Sequence, residues 1–391
     1  MRRLANTVFA LAFLAALADG AVLLAPKLRH ASARRLAEMF PAKRLFIELN
    51  GGARRLAGCR ICNNRIVLTN GHVGYLKFRI PDTDWALRKE LAFAEFLASN
   101  NVPFIHVQAP IGVDIPRSLL REPCECNGNE MAGWYCKQLQ DKNVAVLDLR
   151  EIFAGTAQLV SEYFFSSDHH WTYDAAFIAA EMVAAKIVRC LNLRISYDND
   201  ILKRSEWHVR RLPLWRSGSH AGRTGTLFAG VDDLDYREPA EKVKVRCVMY
   251  DREGMEHIRE GDFSDVFVAK NVVNRRNWHV GSAYVVFPRV DIVGIFNNQS
   301  APLPTKIVIL GDSFARPIPA YLTKVFREVV LVDPRLFSSC KKFANVKLSE
   351  YVLSLNPDIV VQFMNPSSFN ADFGDAGLGR SAVKMFNYGL E

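Results

Sequence analysis

The chain contains five short apolar runs, and most of them are separated by segments whose apolar residues recur at helical spacing. Runs that are apolar at most positions predict strands buried on both faces, and they lie at 104–107, 144–147, 306–310, 329–332 and 358–363. Helical spacing predicts helices over 84–98, 131–141, 173–191, 317–326 and 346–355. Strands that alternate with helices predict an α/β fold with a doubly wound parallel sheet.

Two segments do not follow this alternation of strands and helices. Residues 45–78 predict a β-rich N-terminal segment, because short strand-like runs are punctuated by the turn dipeptides Asn50-Gly51 and Asn70-Gly71. Residues 195–305 combine loops rich in Trp, Gly and Arg with strand-like runs such as 242–250 and 284–287. We expect one domain over 45–370, in which 195–305 is a large insertion that lines or covers the site.

The N-terminus resembles an export signal. Arg2 and Arg3 precede an apolar run over 7–18, which ends in small residues just before Asp19. This order is typical of a signal peptide, and an uncleaved anchor that continues to Ala25 is the alternative. A buried N-terminal helix is the third reading. We expect residues 1–25 to be a signal peptide or membrane anchor and the main body to be periplasmic or otherwise extracytoplasmic.

The charge of the chain is concentrated at the same end. The 391 residues carry 50 Lys plus Arg and 41 Asp plus Glu, a formal net charge of +9. Residues 1–65 hold 12 basic and three acidic side chains, so the remaining 326 residues are neutral with 38 of each sign. Binding of nucleic acid needs basic residues on the folded surface, and the main body offers no such excess. The basic segment instead suits a location beside an anionic membrane.

The eight cysteines leave two interpretations open. Cys59 and Cys62 form a C-x2-C pair, and Cys124 and Cys126, with Cys136 nearby, form a C-x-C pair. Zinc ribbons prefer two C-x2-C pairs. Because export is expected, local disulfides among these five cysteines are the favoured interpretation and a zinc site is the alternative.

A serine follows one of the predicted strands. The run Gly311-Asp312-Ser313-Phe314 comes directly after the strand at 306–310 and before a predicted helix. Open parallel sheets bind ligands beyond the carboxyl ends of their strands, and backbone N–H groups at a helix start can stabilise an oxyanion. Ser313 is therefore a candidate nucleophile, although Asp and Ser are also ordinary helix caps.

A candidate base and its carboxylate lie before the helix over 173–191. A serine nucleophile needs a base, and that base needs a carboxylate to fix its tautomer. Asp168 and His170 are one residue apart, so both project to the same side of an extended segment. We expect His169 to point the opposite way and to be structural or substrate-facing. Helix capping by Asp168 and a metal site are the alternatives, but the further Asp and His clusters of manganese phosphoesterases are missing, so no metal is expected.

The two motifs together resemble those of the SGNH-hydrolase-like acyltransferases, namely the alginate O-acetyltransferase group and the related family named for its DHHW motif. As in that group, the run Asp168-His169-His170-Trp171-Thr172 precedes the Ser313 motif, whereas other SGNH proteins have the serine first. The resemblance covers roughly 45–370 and rests chiefly on these motifs. One departure is Gln362-Phe363-Met364-Asn365-Pro366, where the alginate group often has an acidic residue and an arginine.

The resemblance implies O-acetylation of an exported or cell-surface polysaccharide by a triad of Ser313, His170 and Asp168. It implies no cofactor, and it implies a membrane-bound acyltransferase as the partner that supplies the acetyl group. Asn365 and Gly218 are candidate oxyanion or substrate-binding residues because of their places at a strand end and in a loop. A carbohydrate acetylesterase with the same triad and a non-catalytic glycan-binding or assembly protein are the alternatives.

Overall fold

The computed structural model describes residues 43–80, 83–112, 125–153, 162–194, 202–269, 292–369 and 385–390. The predicted signal or anchor over 1–25, the strand-like run 284–287 and Cys124 lie outside these ranges. Within the ranges described, none of the helices combines the length and the apolar character needed to span a membrane.

Fifteen strands are present in the described residues. They are β1 Ile61–Cys62, β2 Arg65–Val67, β3 Val73–Tyr75, β4 Lys77–Phe78, β5 Phe104–Gln108, β6 Glu125–Cys126, β7 Ala145–Asp148, β8 Trp207–Arg216, β9 Asp232–Pro239, β10 Lys244–Tyr250, β11 Glu256–Asp262, β12 Val293–Asn297, β13 Leu303–Gly311, β14 Phe326–Val332 and β15 Ile359–Met364. The helices are α1 Lys43–Leu56, α2 Asp84–Ser99, α3 Gly128–Asp141, α4 Arg150–Phe153, α5 Tyr173–Cys190, α6 Ser219–Thr224, α7 Thr226–Ala229, α8 Phe263–Phe267, α9 Ile318–Leu322, α10 Pro334–Phe337 and α11 Leu348–Ser354. Short 3-10 turns cover Arg204–Glu206, Lys341–Phe343 and Pro366–Phe369.

An eight-stranded sheet in the order β11-β10-β12-β14-β13-β15-β5-β7 forms the centre of the fold. The five strands from β14 to β7 are parallel and coincide with the five apolar runs. One face packs against α5 and α9, and the other packs against α2, α3 and α11, so side chains of both faces of these strands are buried. Burial on both faces explains the nearly continuous apolar runs, and the predicted α/β fold with a doubly wound sheet is confirmed.

The segment 195–305 does more than line or cover a site. Its strands β10, β11 and β12 join the sheet edge beside β14 as antiparallel neighbours, so the sheet is mixed rather than wholly parallel. The edge strand β11 is largely exposed. Exposure on one side is common in antiparallel strands, whose sequences are less uniformly apolar than those of buried parallel strands.

The Asn50-Gly51 dipeptide is not a hairpin turn, because it lies inside α1. Gly51 and Gly52 are buried where α1 crosses α6 and α7, and a Cβ atom on Gly51 would overlap the carbonyl oxygen of Thr224. These glycines therefore permit close helix packing, which overrides the local turn signal. Gly71, by contrast, lies between β2 and β3 with a φ of +89°, as the predicted turn requires.

The seven described cysteines are free thiols, so the local disulfides favoured from the sequence are not seen among them. The sulfur atoms have separate surroundings. The side-chain amide of Asn50 lies 3.7 Å from Cys62 Sγ, and Cys126 Sγ donates to the carbonyl of Tyr75 at 3.6 Å. Cys136 is buried in α3.

Candidate active site

Ser313 lies in the turn that follows β13, at the carboxyl edge of the parallel strands. Gly311 is required there because a Cβ atom would overlap the side chain of Ala315. The buried Asp312 carboxylate fixes the turn by accepting from the backbone N–H of Phe314 at 2.8 Å and from the N–H of Asn365 at 2.8 Å. The turn that carries Ser313 is thereby tied to the end of the neighbouring strand β15.

The segment that carries Asp168 and His170 is held just before α5. Thr172 caps that helix by accepting from the N–H of Ala175 at 3.3 Å. Trp171 is fully buried and its ring centroid lies 5.3 Å from that of Phe314, which directly follows the serine. Packing between these two rings brings the segment against the Ser313 turn.

Asp168, His170 and Ser313 form one continuous hydrogen-bonded chain. His170 Nδ1 lies 2.7 Å from Asp168 Oδ1, and His170 Nε2 lies 2.8 Å from Ser313 Oγ. The residues between 166 and 170 form a succession of bends rather than an extended segment. Alternation of sides therefore does not apply, and His169 does not point away, since its Nδ1 is 3.3 Å from Asp168 Oδ1.

Burial and neighbouring charges set the protonation of this chain. Burial alone would raise the pKa of Asp168, but His170 and His169 outweigh it and hold that pKa well below its ordinary value. Burial and the neighbouring His169 lower the pKa of His170 to about 4, against the opposing effect of Asp168. At neutral pH the carboxylate is ionised and His170 is neutral, so Nδ1–H donates to Asp168 and the Nε2 lone pair accepts from the Ser313 hydroxyl. The arrangement can remove a proton from Ser313.

Two residues of the segment 195–305 hold Asp168 and the residues just before it, and neither was predicted. Ser219 donates its backbone N–H to Asp168 Oδ2 at 2.8 Å. The buried Asp232 carboxylate accepts from the backbone N–H groups of Ser166 at 2.7 Å and Ser167 at 3.0 Å, and from both of their hydroxyls. No local motif marks these residues, because they meet the triad segment only when a distant part of the chain folds back.

The predicted oxyanion residues Gly218 and Asn365 have other contacts. Gly218 donates its N–H to Ser167 Oγ at 2.8 Å and lies against the Asp168 side chain. Asn365 donates its side-chain amide to Asp312 Oδ2 at 2.6 Å and accepts from the N–H of Ser367 at 2.8 Å. Both residues therefore hold the loops that carry the triad, and their role as oxyanion donors stays a prediction that these contacts do not support.

Gly218→Ala is expected to damage the site because the added methyl group would overlap Asp168. Overpacking costs about 1–3 kcal/mol of stability, and displacement of a catalytic group by about 1 Å can lower the rate about 100-fold. Gly222→Ala, in the helix α6 that begins directly after Gly218, is the control, since a Cβ atom there meets nothing within 4 Å. Thermal unfolding and esterase rates of both variants test this, and equal effects of the two substitutions would contradict it.

Among the described residues, Asp168, His169 and His170 form the group of possible ligands whose atoms lie close enough together to hold a metal ion. One ligand atom each from Asp168, His169 and His170 lies within 4.8 Å of the others. Both ring nitrogens of His170 are already paired, with Asp168 and with Ser313. The geometry therefore favours proton transfer through His170 over ligation of a metal.

Comparisons with known proteins agree with this geometry. A family model for the SGNH hydrolase-like domain of the acetyltransferase AlgX matches residues 113–198, which include Asp168 and His170. The structure of PatB1 from Bacillus cereus, with a sulfonyl adduct, is similar at a TM-score of 0.62, with 17% identity over 84% of this chain and 99% of that one. The chain resembles the SGNH-hydrolase-like acetyltransferases.

A second solved structure is also similar in fold to this chain. A DHHW family protein from Eubacterium siraeum superimposes at a TM-score of 0.58, with 14% identity over 82% of this chain and 95% of that one. A search of curated proteins found no significant match. At these identities the two structures show a shared SGNH-like fold, while the family model supplies the likeness to an acetyltransferase in the segment that carries Asp168 and His170.

Proposed function

We propose that this chain is a serine O-acyltransferase that O-acetylates an exported or cell-surface polysaccharide. The observation that carries the proposal is the hydrogen-bonded chain from Asp168 through His170 to Ser313, with donor–acceptor distances of 2.7 and 2.8 Å. These distances are within the reach needed for a base to activate a serine. The partial match to the AlgX acetyltransferase model supports transfer rather than hydrolysis alone.

The reaction has two steps. Ser313 Oγ attacks the acetyl carbonyl of the donor while its proton moves to His170 Nε2, and His170 then protonates the leaving group of the donor. A sugar hydroxyl next attacks the acyl carbon and gives its proton to His170, which returns a proton to Ser313 Oγ as the ester bond to the enzyme breaks. Asp168 keeps His170 in the required tautomer and stabilises its charged form.

The proposal also covers location and partner. The charge pattern and apolar run at the N-terminus support export to the periplasm or another extracytoplasmic space, at a membrane surface. A membrane-bound acyltransferase there is the proposed source of acetyl groups. Cell fractionation with an antibody to the chain tests the location, and recovery in the cytosol alone would contradict it.

Trapping of the acyl-enzyme tests the activity. A sulfonyl adduct of PatB1 is known, so a sulfonyl fluoride is a suitable probe for Ser313. We expect the reagent to sulfonylate Ser313 with loss of fluoride, and p-nitrophenyl acetate to acetylate the same residue, as seen by peptide mass spectrometry. Added oligosaccharide should then become acetylated, which separates a transferase from an esterase. Identical labelling of wild type and Ser313→Ala would refute the proposal.

Activity is expected to persist into acid solution. The neutral form of His170 is the base, so kcat/KM is lost only as the pH falls through the His170 pKa of about 4. An ordinary histidine would give this loss near pH 6.5. Measurement of kcat/KM with p-nitrophenyl acetate across the acid range, with circular dichroism at each pH to exclude unfolding, tests this expectation. An acid limb near the ordinary value would contradict it.

A further inference from the structure

The proposed mechanism leaves His169 unused although it lies in the centre of the site. Its ring centroid is 3.8 Å from that of His170, and its Nδ1 lies 2.6 Å from Ser219 Oγ. The side chain of His169 is 19% exposed, whereas that of His170 is 7% exposed. A molecule that approaches the base from solvent therefore meets His169 first.

The hydrogen-bond network assigns a tautomer to His169. Ser219 Oγ lies 3.3 Å from Asp168 Oδ1, and an ionised carboxylate only accepts hydrogen bonds. The single hydroxyl proton of Ser219 is therefore directed to Asp168, and Ser219 Oγ must accept from His169 Nδ1–H. Neutral His169 then has an unprotonated Nε2 with a free lone pair.

This Nε2 atom is placed close to the base. The rings of His169 and His170, whose planes are inclined by 39°, both turn Nδ1 towards Asp168. The distance between the two Nε2 atoms therefore cannot exceed the centroid separation of 3.8 Å plus the distance from each centroid to its own Nε2 atom. Across the described ranges, His169 Nε2 has no hydrogen-bond partner in the protein.

We propose that His169 Nε2 accepts a hydrogen bond from a second hydroxyl of the acceptor, so that the site selects acceptors with two neighbouring hydroxyls. This inference rests on the proposed function. The first hydroxyl attacks the acyl carbon and gives its proton to His170, while the second remains bonded to His169, which keeps its own proton at Nδ1. Water has no second hydroxyl, so the contact favours transfer over hydrolysis.

Two small alcohols isolate this contact. Ethylene glycol has a second hydroxyl, and its monomethyl ether has the same reacting hydroxyl but no second donor. With p-nitrophenyl acetate as acyl donor, we expect the wild type to acetylate ethylene glycol about tenfold faster, which is the effect of one hydrogen bond, after correction for its two equivalent hydroxyls.

Two substitutions of His169 distinguish the contact made by Nδ1 from the contact made by Nε2. The amide of His169→Asn reaches the position of Nδ1 and can keep the contact with Ser219, but nothing replaces Nε2. The amide of His169→Gln reaches the position of Nε2. We measure the preference as the ratio of the acetylation rate of ethylene glycol to that of its monomethyl ether, so a change in the acylation step affects both rates alike. We expect the Asn variant to lose this preference and the Gln variant to retain part of it.

The outcomes distinguish this inference from the function on which it rests. Equal release of p-nitrophenol by wild type and Ser313→Ala refutes both. An active wild type without a preference for ethylene glycol overturns the His169 inference alone, and this measurement needs no variant that must fold. Retention of the preference by an active His169→Asn also overturns it.

Discussion

Asp168→Asn is expected to lower kcat/KM for acyl transfer by about four orders of magnitude, the scale of losing the carboxylate of a serine triad. Asp168 accepts from His170 Nδ1 on one oxygen and from the backbone N–H of Ser219 on the other. An asparagine has only one accepting oxygen. If its amide N–H₂ faces His170, the histidine must carry its proton at Nε2 and cannot take one from Ser313. If the amide faces Ser219, two donors meet at 2.8 Å in a buried site.

Steady-state rates with p-nitrophenyl acetate measure this loss, and Ser313→Ala gives the background rate. Asp174→Asn is the matched control because Asp174 lies in the first turn of α5, is 46% exposed and pairs with Arg237 away from the triad. Its activity should equal that of the wild type. Retention of more than about a tenth of the activity by a folded Asp168→Asn would show that the carboxylate has no role in activating His170.

The central sheet could be predicted because its five parallel strands are buried on both faces, so the sequence of each strand is apolar at most positions. The place of Ser313 could also be predicted, since a serine that follows a parallel strand lies at the edge where such sheets bind ligands. Both predictions depend on local sequence and on a general rule of topology. The meeting of Ser313 with His170 is implied instead by the resemblance of the two motifs to those of the SGNH-hydrolase-like acyltransferases.

Other features depend on contacts between distant parts of the chain. The glycines of α1 resemble a turn locally, and only their packing against Thr224 and Leu227 explains a helix there. Ser219 and Asp232 lie 51 and 64 residues beyond Asp168, and neither stands in a motif that points to it. Residues that position a catalytic group through tertiary hydrogen bonds leave little trace in a single sequence.

Glu90→Gln is expected to destabilise the fold by about 3–5 kcal/mol, the cost of removing one partner from a buried ion pair. Glu90 of α2 is fully buried, with one oxygen 2.7 Å from His106 Nδ1 in β5 and the other accepting from the Tyr135 hydroxyl of α3 at 2.6 Å. Through these two contacts, Glu90 joins α2 and α3 to the central sheet. Glu95→Gln on the exposed side of the same helix is the control, with an expected effect within about 0.5 kcal/mol.

The pH dependence of this loss gives the sharper test. Burial alone would lower the pKa of His106, but the charge of the Glu90 carboxylate and the hydrogen bonds of the His106 ring with Cys136 and Glu90 outweigh it and raise the pKa to about 10. A raised pKa contributes stability that is complete below the ordinary histidine value of about 6.5 and is lost as the pH rises through the folded-state value. In urea unfolding, the difference in free energy of unfolding between wild type and Glu90→Gln should therefore be largest in acid or neutral solution and should become smaller towards pH 10. A difference in free energy of unfolding that is independent of pH would mean that His106 is neutral in the folded protein and that packing alone holds α2 on the sheet.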